Sequence, residues 1–410
     1  MKLRNGYIMP VLLMLLGALM GFGLLYMRND YNINIIYTGL IIECLFIVVC
    51  SIVVFTRMGD KFLVLFSFML ISIGMLMICR LDIERGLKQI VWVGIGFVAF
   101  FGAYLVYYFI DIWEDYWYLY VGLSVILFVL TLTIGRTVNG SKNWIGIGSF
   151  AFQPSEIIKI LYIMFLSCHY SGAWTKPIKE KITPSIMTAI VTYLFIGFLV
   201  LQRDWGTILV LFSIYIFMIY VYEKNPLFLA VNVGAALVVA FLGYKFMHHI
   251  QLRVTAWLNP WEHIEDIGYQ VTQSLFAISA GGYFGKGLGN GTPYHIPEVH
   301  TDFIFSAICE EMGVFVGAAV VLLFFLLAYR CFKIALKATN PYNKSVGLGV
   351  TLMFSLQCFI IIGGVIKFIP LTGITLPFVS YGGSSMVVSF ISLGIMQAIS
   401  AREERGERSE

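Results

Sequence analysis

Asp302 ends a polar stretch and stands at the threshold of an apolar run, in Pro297-Glu298-Val299-His300-Thr301-Asp302-Phe303. A carboxylate in that place could serve as a general base at a membrane surface, or it could simply cap the helix that follows. A helix N-terminus lowers the pKa of such a group and burial beside lipid raises it, so residue type alone leaves both roles open. Upstream, Gln270 and Gln273 in Gly268-Tyr269-Gln270-Val271-Thr272-Gln273-Ser274 are i, i+3 neighbours that would share a helical face. Gly281, Gly282, Gly285, Gly287, Gly289 and Gly291 follow. They allow tight turns near a ligand, or they make an ordinary loop outside the membrane. No strand precedes them and no Gly-Lys-Ser/Thr follows, which excludes a nucleotide-binding reading.

Other charges lie against apolar runs. Glu156 and Lys159 in Gln153-Pro154-Ser155-Glu156-Ile157-Ile158-Lys159 can pair on one helical face, as a structural ion pair or beside a wet cavity. Asn139-Gly140-Ser141-Lys142-Asn143-Trp144 combines a turn, a cation and an aromatic, which would also suit an interface anchor. Gln202-Arg203-Asp204-Trp205-Gly206-Thr207 is too short for a solvated loop, so a buried charge pair is expected. Pro377-Phe378-Val379-Ser380-Tyr381-Gly382-Gly383-Ser384-Ser385 breaks a helix at membrane depth, where irregular backbone must be buried in protein or line a cavity. Glu310 and Glu311, inside an apolar run, either face a cavity or snorkel towards an interface.

The elements that carry these groups must cross a membrane. Of 410 residues, 59% are hydrophobic and 12% charged, with a mean hydropathy of +0.86; a soluble domain carries about 25% charged residues. Reading apolar runs of about 20 residues gives an all-α polytopic membrane protein of about twelve crossings. The sixth, Ile157 to Cys168, is short, and the tenth runs from Phe303 to Tyr329. The first is read as a retained helix and not a cleaved signal peptide. The seven cysteines form no CxxC or CxxH cluster, which argues against a metal or disulfide framework. A net charge of +4 with scattered basic residues gives no sign of nucleic-acid binding.

With the N-terminus inside, the cytoplasmic segments hold Lys2, Arg4, Arg57, Lys61, Lys176, Lys179, Lys181, Lys224, Arg330, Lys333, Lys337, Lys344, Arg402, Arg405 and Arg408, as the positive-inside rule requires. The outer loop Arg80 to Gln89 is basic and the inner loop Asp111 to Tyr116 acidic, against that rule. The same topology puts Gly135 to Glu156, Gln202 to Thr207, Lys245 to Asp302 and Lys367 to Ser385 together on the outer face. The tail, Ala401 to Glu410, reads as disordered.

Taken together these motifs resemble the SEDS family of bacterial cell-wall polymerases, the group of FtsW, RodA and SpoVE. The match rests on Asn139 to Trp144, Gln153 to Lys159, Gly268 to Ser274, the Gly281 to Gly291 glycines, His300 to Phe303 with Glu310, Glu311 and Gly313, and Pro377 to Ser385. It spans about Arg57 to Ile399. The family has about ten crossings, so residues 1–56 look like an added helix pair on a core of 57–400, which holds a large outer loop of 245–302; 401–410 forms the cytoplasmic tail. The family segment written QPDLGT reads here Gln-Arg-Asp-Trp-Gly-Thr from Gln202, keeping Asp204.

The resemblance implies a peptidoglycan glycosyltransferase in the bacterial cytoplasmic membrane, polymerising lipid II into glycan strands at the outer face. An acceptor GlcNAc 4-hydroxyl would attack a lipid-linked MurNAc with inversion and release undecaprenyl pyrophosphate. Asp302 is then the candidate base. The substrate-binding candidates are Arg136, Lys142, Glu156, Lys159, Asp204, Arg253, Gln270, Gln273, His300, Ser380, Gly382 and Gly383, with Lys159, Lys142, Arg136, Arg203 or Arg253 to offset developing negative charge. Pyrophosphate is already a good leaving group, so one base suffices without a paired acid. No cofactor is demanded, although a divalent cation is compatible, and a class B penicillin-binding transpeptidase is the expected partner. A flippase would suit broken helices too but calls for an inverted repeat, and none is visible. A non-catalytic scaffold for the transpeptidase would have no need of Asp302.

Overall fold

The computed structural model describes residues 2–28, 31–138, 140–147, 150–172 and 183–409. Asn139, Lys176, Lys179 and Lys181 lie outside the described residues, as do the side chains of Lys2, Arg4 and Arg408. Nine helices come first: α1 (Lys2–Arg28), α2 (Ile33–Phe55), α3 (Lys61–Leu81), α4 (Ile83–Phe109), α5 (Trp117–Ile134), α6 (Pro154–Tyr170), α7 (Pro184–Gln202), α8 (Trp205–Tyr222) and α9 (Pro226–Phe246). Two short ones, α10 (His248–Leu258) and α11 (Tyr269–Gly281), lead to α12 (Ile304–Met312), and then α13 (Val314–Lys337), α14 (Pro341–Val365) and α15 (Gly383–Ser409) complete the chain.

Helix starts follow from capping chemistry. Asn32, Asp60, Asp82, Thr183, Asp204, Asn225 and Asn340 each accept a backbone N–H from the first turn of the helix they precede, which satisfies donors that have no partner inside the helix. Among the described residues, eleven helices are long and apolar enough to cross a membrane. The 17-residue α6 is shorter than any of these and is largely buried among them. In the bundle α3 and α15 are largely enclosed by protein, whereas α1 and α9 present most of their surface outward, as expected where lipid is the solvent.

Four expectations are revised. The apolar run Phe303 to Tyr329 is two helices, because Gly313 takes φ 85 and a Cβ there would lie 2.3 Å from the Tyr283 carbonyl oxygen. Hydropathy does not register such a turn. The segment from Gly135 to Glu156 is not only turn: β1 (Arg136–Val138), β2 (Ser141–Ile147) and β3 (Phe150–Phe152) form a small antiparallel sheet, with Thr137 opposite Lys142 and Ile145 opposite Phe152. The large outer loop contains α10 and α11, and α11 carries Gln270 and Gln273 as their spacing predicts. Finally, the tail is helical through Ser409. Arg402 anchors it, donating to the Tyr107 and Tyr108 carbonyls at 3.0 Å each and to Asp111 at 2.8 Å.

Gly313 fixes where α12 stops. Gly313→Ala is expected to cost about 2–3 kcal/mol, from the left-handed φ and the backbone clash together. Thermal unfolding in detergent measures it, and an unchanged midpoint would contradict this reading of the turn.

Candidate active site

Asp302 sits in a tight turn that begins at Glu298, whose own φ is 53, a conformation that non-glycine residues adopt mainly where the surroundings enforce it. The Glu298 carbonyl accepts the N–H of Thr301 at 3.1 Å and of Asp302 at 3.2 Å. The broken segment between α14 and α15 braces this turn. Ser380 Oγ donates to the Thr301 carbonyl at 2.6 Å, and the Tyr381 N–H donates to the His300 carbonyl at 2.9 Å. Gln89, fully buried in α4, holds the brace from behind, donating to the Ser380 carbonyl at 3.4 Å and accepting from the Gly382 N–H at 3.3 Å.

The capping alternative for Asp302 is not what the turn does. Phe303 is the residue that precedes α12, and no side chain caps that helix. Asp302 instead turns towards Gly373, where a Cβ would lie 3.5 Å from Asp302 Oδ2 and 3.7 Å from Arg253 Nη2. Gly373 has φ 74, so a bare backbone lets carboxylate and guanidinium converge on one point. Burial pushes the Asp302 carboxyl up to about 7; Thr301 pulls it down by hydrogen bonding, Glu298 repels it upward and Arg253 draws it down. That places it near neutrality, where a general base works best. Burial disfavours the Arg253 charge, which Asp302 and Asp204 in turn support.

Two clefts lie near Asp302, which itself lines neither; its neighbour Thr301 lines one and Arg253 lines the other. The first, about 700 Å³, has Thr301 and Glu298 on one wall and Arg85, Lys88 and Arg136 on the others, with Trp92, Gly382 and Gly383 completing it. The second, about 420 Å³, is bounded by Arg253, Trp257, Asp266, Tyr269 and Gln270 with an apolar floor. The first is therefore the cationic one. Its Arg85 also pairs with Asp82 at 3.2 Å, a half-exposed contact of small energetic weight.

Arg136, Gly382 and Gly383 thus line the first cleft and Arg253 and Gln270 the second, while Ser380 positions the Asp302 turn. The other candidates spend their polar atoms on protein. Lys142 Nζ donates to the Leu132 carbonyl at the end of α5, at 2.5 Å. Glu156 and Lys159 form a 2.8 Å ion pair with Lys159 only 1% exposed, which is the structural alternative for that spacing. Asp204, also buried, accepts from Ser155 Oγ at 3.0 Å, Gln153 Nε2 at 3.2 Å, Asn143 Nδ2 at 3.5 Å and the Thr207 N–H at 3.1 Å. It fastens the sheet and α6 to the α7–α8 turn, and its partners are these neutral donors where a buried charge pair was expected. Gln273 and His300 line neither cleft, and His300 Nε2 is enclosed without a partner.

The departures from the family segment have local causes. Arg203 takes φ 59, which a proline ring forbids, and its carbonyl accepts from Ser141 Oγ at 3.0 Å. Trp205 packs against His249 with ring centroids 5.4 Å apart. The glycine segment is held in place by Glu310 and Glu311. Glu310 accepts from Lys286 Nζ at 2.8 Å and the Thr292 N–H at 3.0 Å, while Glu311 accepts from the Gly289 N–H at 2.8 Å and from Arg80 at 3.1 Å. These two glutamates neither snorkel nor face the clefts. Arg85, Lys88, Gln89 and Trp92 were not singled out from the sequence. Their signal was present: the basic outer loop that broke the positive-inside rule ends in Arg85, Lys88 and Gln89.

Asp204→Ala removes one acceptor from four donors. It is expected to cost about 3 kcal/mol, with Asp204→Asn recovering part of the loss. Chemical or thermal unfolding of both variants checks this, and equal midpoints for wild type and Asp204→Ala would contradict the hub role.

The family model described as a cell cycle protein and covering FtsW, RodA and SpoVE matches residues 60–405. Stage V sporulation protein E of Bacillus subtilis (strain 168) is 35% identical over 362 residues, covering 83% of this chain and 96% of that protein. Peptidoglycan glycosyltransferase RodA of Mycobacterium tuberculosis (strain ATCC 25618 / H37Rv) is 32% identical over 369 residues, 82% of this chain and 77% of that one. A solved structure of a peptidoglycan synthase complex that coordinates polymerization and crosslinking contains a similar chain, with a TM-score of 0.70 at 25% identity over 84% of this chain and 98% of that one. The crystal structure of the Thermus thermophilus rod shape determining protein RodA gives 0.62 at 26% identity, over 83% and 96%. With the family's model matched across most of its length and its helices arranged as in these membrane proteins, this chain belongs to the FtsW, RodA and SpoVE family.

Proposed function

We propose that the chain is a peptidoglycan glycosyltransferase that polymerises lipid II at the outer face of the cytoplasmic membrane. One observation carries the reading: the Asp302 carboxyl, raised to about 7 by burial, converges with Arg253 on Gly373 beside a cationic cleft that its neighbour Thr301 lines. Relatives that bear the name peptidoglycan glycosyltransferase, at 32% identity over most of the chain, support it.

The reaction is an in-line displacement. The acceptor 4-hydroxyl oxygen forms a bond to the anomeric carbon of the lipid-linked MurNAc. The bond from that carbon to the pyrophosphate oxygen breaks with inversion, and the pyrophosphate leaves with the electron pair. The hydroxyl proton passes to an Asp302 oxygen and from there to water. Charge develops on the departing pyrophosphate, and Lys88, Arg136 and Arg85 stand where they can offset it. Arg253 limits the rise in the Asp302 pKa, so that an appreciable fraction is ionised at neutral pH.

Among the described residues no three His, Cys, Asp or Glu side chains gather at a metal-sized site. A divalent cation is compatible with the scheme, held by one or two carboxylates together with the substrate's phosphates, and no step here runs through it. The partner in this reading is a class B penicillin-binding transpeptidase, supported by the similar chain found in a synthase complex. Residues 57–400 form the working core and 1–56 an added pair.

Asp302→Asn keeps the shape and removes the base. Lipid II polymerisation by the purified chain with its transpeptidase is expected to fall by about 10³-fold or more with an unchanged unfolding midpoint. Glycan strands made at the wild-type rate would refute the assignment.

A further inference from the structure

The family model matches residues 60–405, so α1 and α2 precede it. They are nonetheless packed into the bundle. A Cβ on Gly21 of α1 would lie 2.8 Å from a Leu76 methyl of α3, and a Cβ on Gly39 of α2 would lie 2.7 Å from the Phe22 ring of α1. Tyr7 shares a 2.7 Å hydrogen bond with Cys50 Sγ and donates to the Lys61 carbonyl at 3.3 Å, which ties α1 to α2 and to the start of α3. Phe46 of α2 packs on Phe68 of α3 with ring centroids 4.6 Å apart.

At the outer end of this packing two arginines meet the glycine segment. Arg28, in the last turn of α1, donates to Asn290 Oδ1. Arg80, in the last turn of α3, donates to the Gly289 carbonyl at 3.3 Å and to Glu311 at 3.1 Å. A Cβ on Gly289 would lie 3.4 Å from Arg28 Cδ and 3.8 Å from Arg80 Nε, so both side chains bear on one stretch of backbone. That stretch caps α12. The Lys286 and Gly287 N–H groups donate to the Glu310 and Glu311 carbonyls at 2.9 Å and 3.0 Å, acceptors that a helix C-terminus leaves without partners. Asn290 Nδ2 donates in turn to the Lys286 carbonyl at 3.0 Å, which links Arg28 to the cap through one side chain. At its other end α12 begins at Ile304, two residues beyond Asp302.

We propose that Arg28 is a positioning residue for the Asp302 turn: by holding Asn290 it fixes the segment that caps α12, and through this short helix the turn at its head. The α1–α2 pair is then a working part of the enzyme. The inference rests on the glycosyl-transfer reading above and adds to it a residue that lines neither cleft. An arginine at the end of a membrane helix can also act as an interface anchor. An anchor needs only its own charge, whereas a brace needs Asn290 as well, and the two roles differ in whether the losses from the two side chains add.

The test uses the full chain with its transpeptidase and compares wild type, Arg28→Ala, Asn290→Ala and the double variant by hydrogen exchange and by lipid II polymerisation. Arg28→Ala is expected to raise exchange about fivefold over residues 285–291 and 298–312 and to lower kcat about fivefold, with KM within about twofold of wild type and exchange elsewhere unchanged. The double variant is expected to be no slower than Asn290→Ala alone, as for two groups that act through one contact. Wild-type exchange over 298–312 in Arg28→Ala would overturn the proposal. So would an unchanged kcat despite faster exchange, or losses that add in the double variant, which would mark Arg28 as an anchor. If wild type does not polymerise lipid II, the glycosyl-transfer reading falls, while the exchange comparison still decides whether Arg28 holds the turn.

Discussion

The hydrogen bonds that join the turn at 298–302 to the broken segment between α14 and α15 are the constraint on which the site depends. Both stretches are irregular backbone at the rim of a membrane bundle, where unpaired N–H and C=O groups are expensive. Each satisfies the other: Ser380 donates to Thr301, and Tyr381 to His300. The pairing fixes the backbone beside Asp302. Gln89 reaches in from α4 to hold the brace, and α4 also carries Arg85 and Lys88 to the cationic cleft. Position of Asp302 and placement of the cations are thus set by one packed unit.

Around that unit the protein spends charge on rigidity. The buried pair of Glu156 and Lys159, the four donors on Asp204, and the glutamates that gather the glycine segment all satisfy groups that could not remain unpaired in a dry interior. Apart from Gln153, none of them lines the two clefts. What remains available to a substrate is a smaller set, made of Arg136, Arg85 and Lys88 on one side and Arg253 and Gln270 on the other.

The crossings were legible because lipid imposes a long apolar run on any helix that spans it, and this holds for α3 or α8 without knowledge of neighbours. Convergence of the outer segments was legible for a topological reason: alternation puts them on one side. The turn at Gly313 was not, since α12 and α13 are both apolar and a positive φ leaves no mark on hydropathy. Roles of charged residues were the least legible. Glu156 with Lys159 and Lys88 with Arg85 look alike as charges beside apolar runs, and only three-dimensional contacts distinguish a locked pair from a cleft wall. Asp302 shows the same limit, because cap and base share a residue type and a position. Its backbone geometry, with Phe303 and not Asp302 at the helix start, speaks against the cap. The cations of the outer loop were visible as an exception to a charge rule, and that exception was the informative signal.

The central claim is that Asp302 accepts the proton in the step that makes the glycosidic bond, and the pH dependence of kcat/KM for lipid II polymerisation tests it most directly. A carboxyl raised to about 7 is ionised above that pH and protonated below it. Base catalysis therefore predicts a plateau above about pH 8 and an acid limb through about 7 that falls about tenfold per pH unit below it. A profile flat from pH 5.5 to 8 in a protein that stays folded would contradict it.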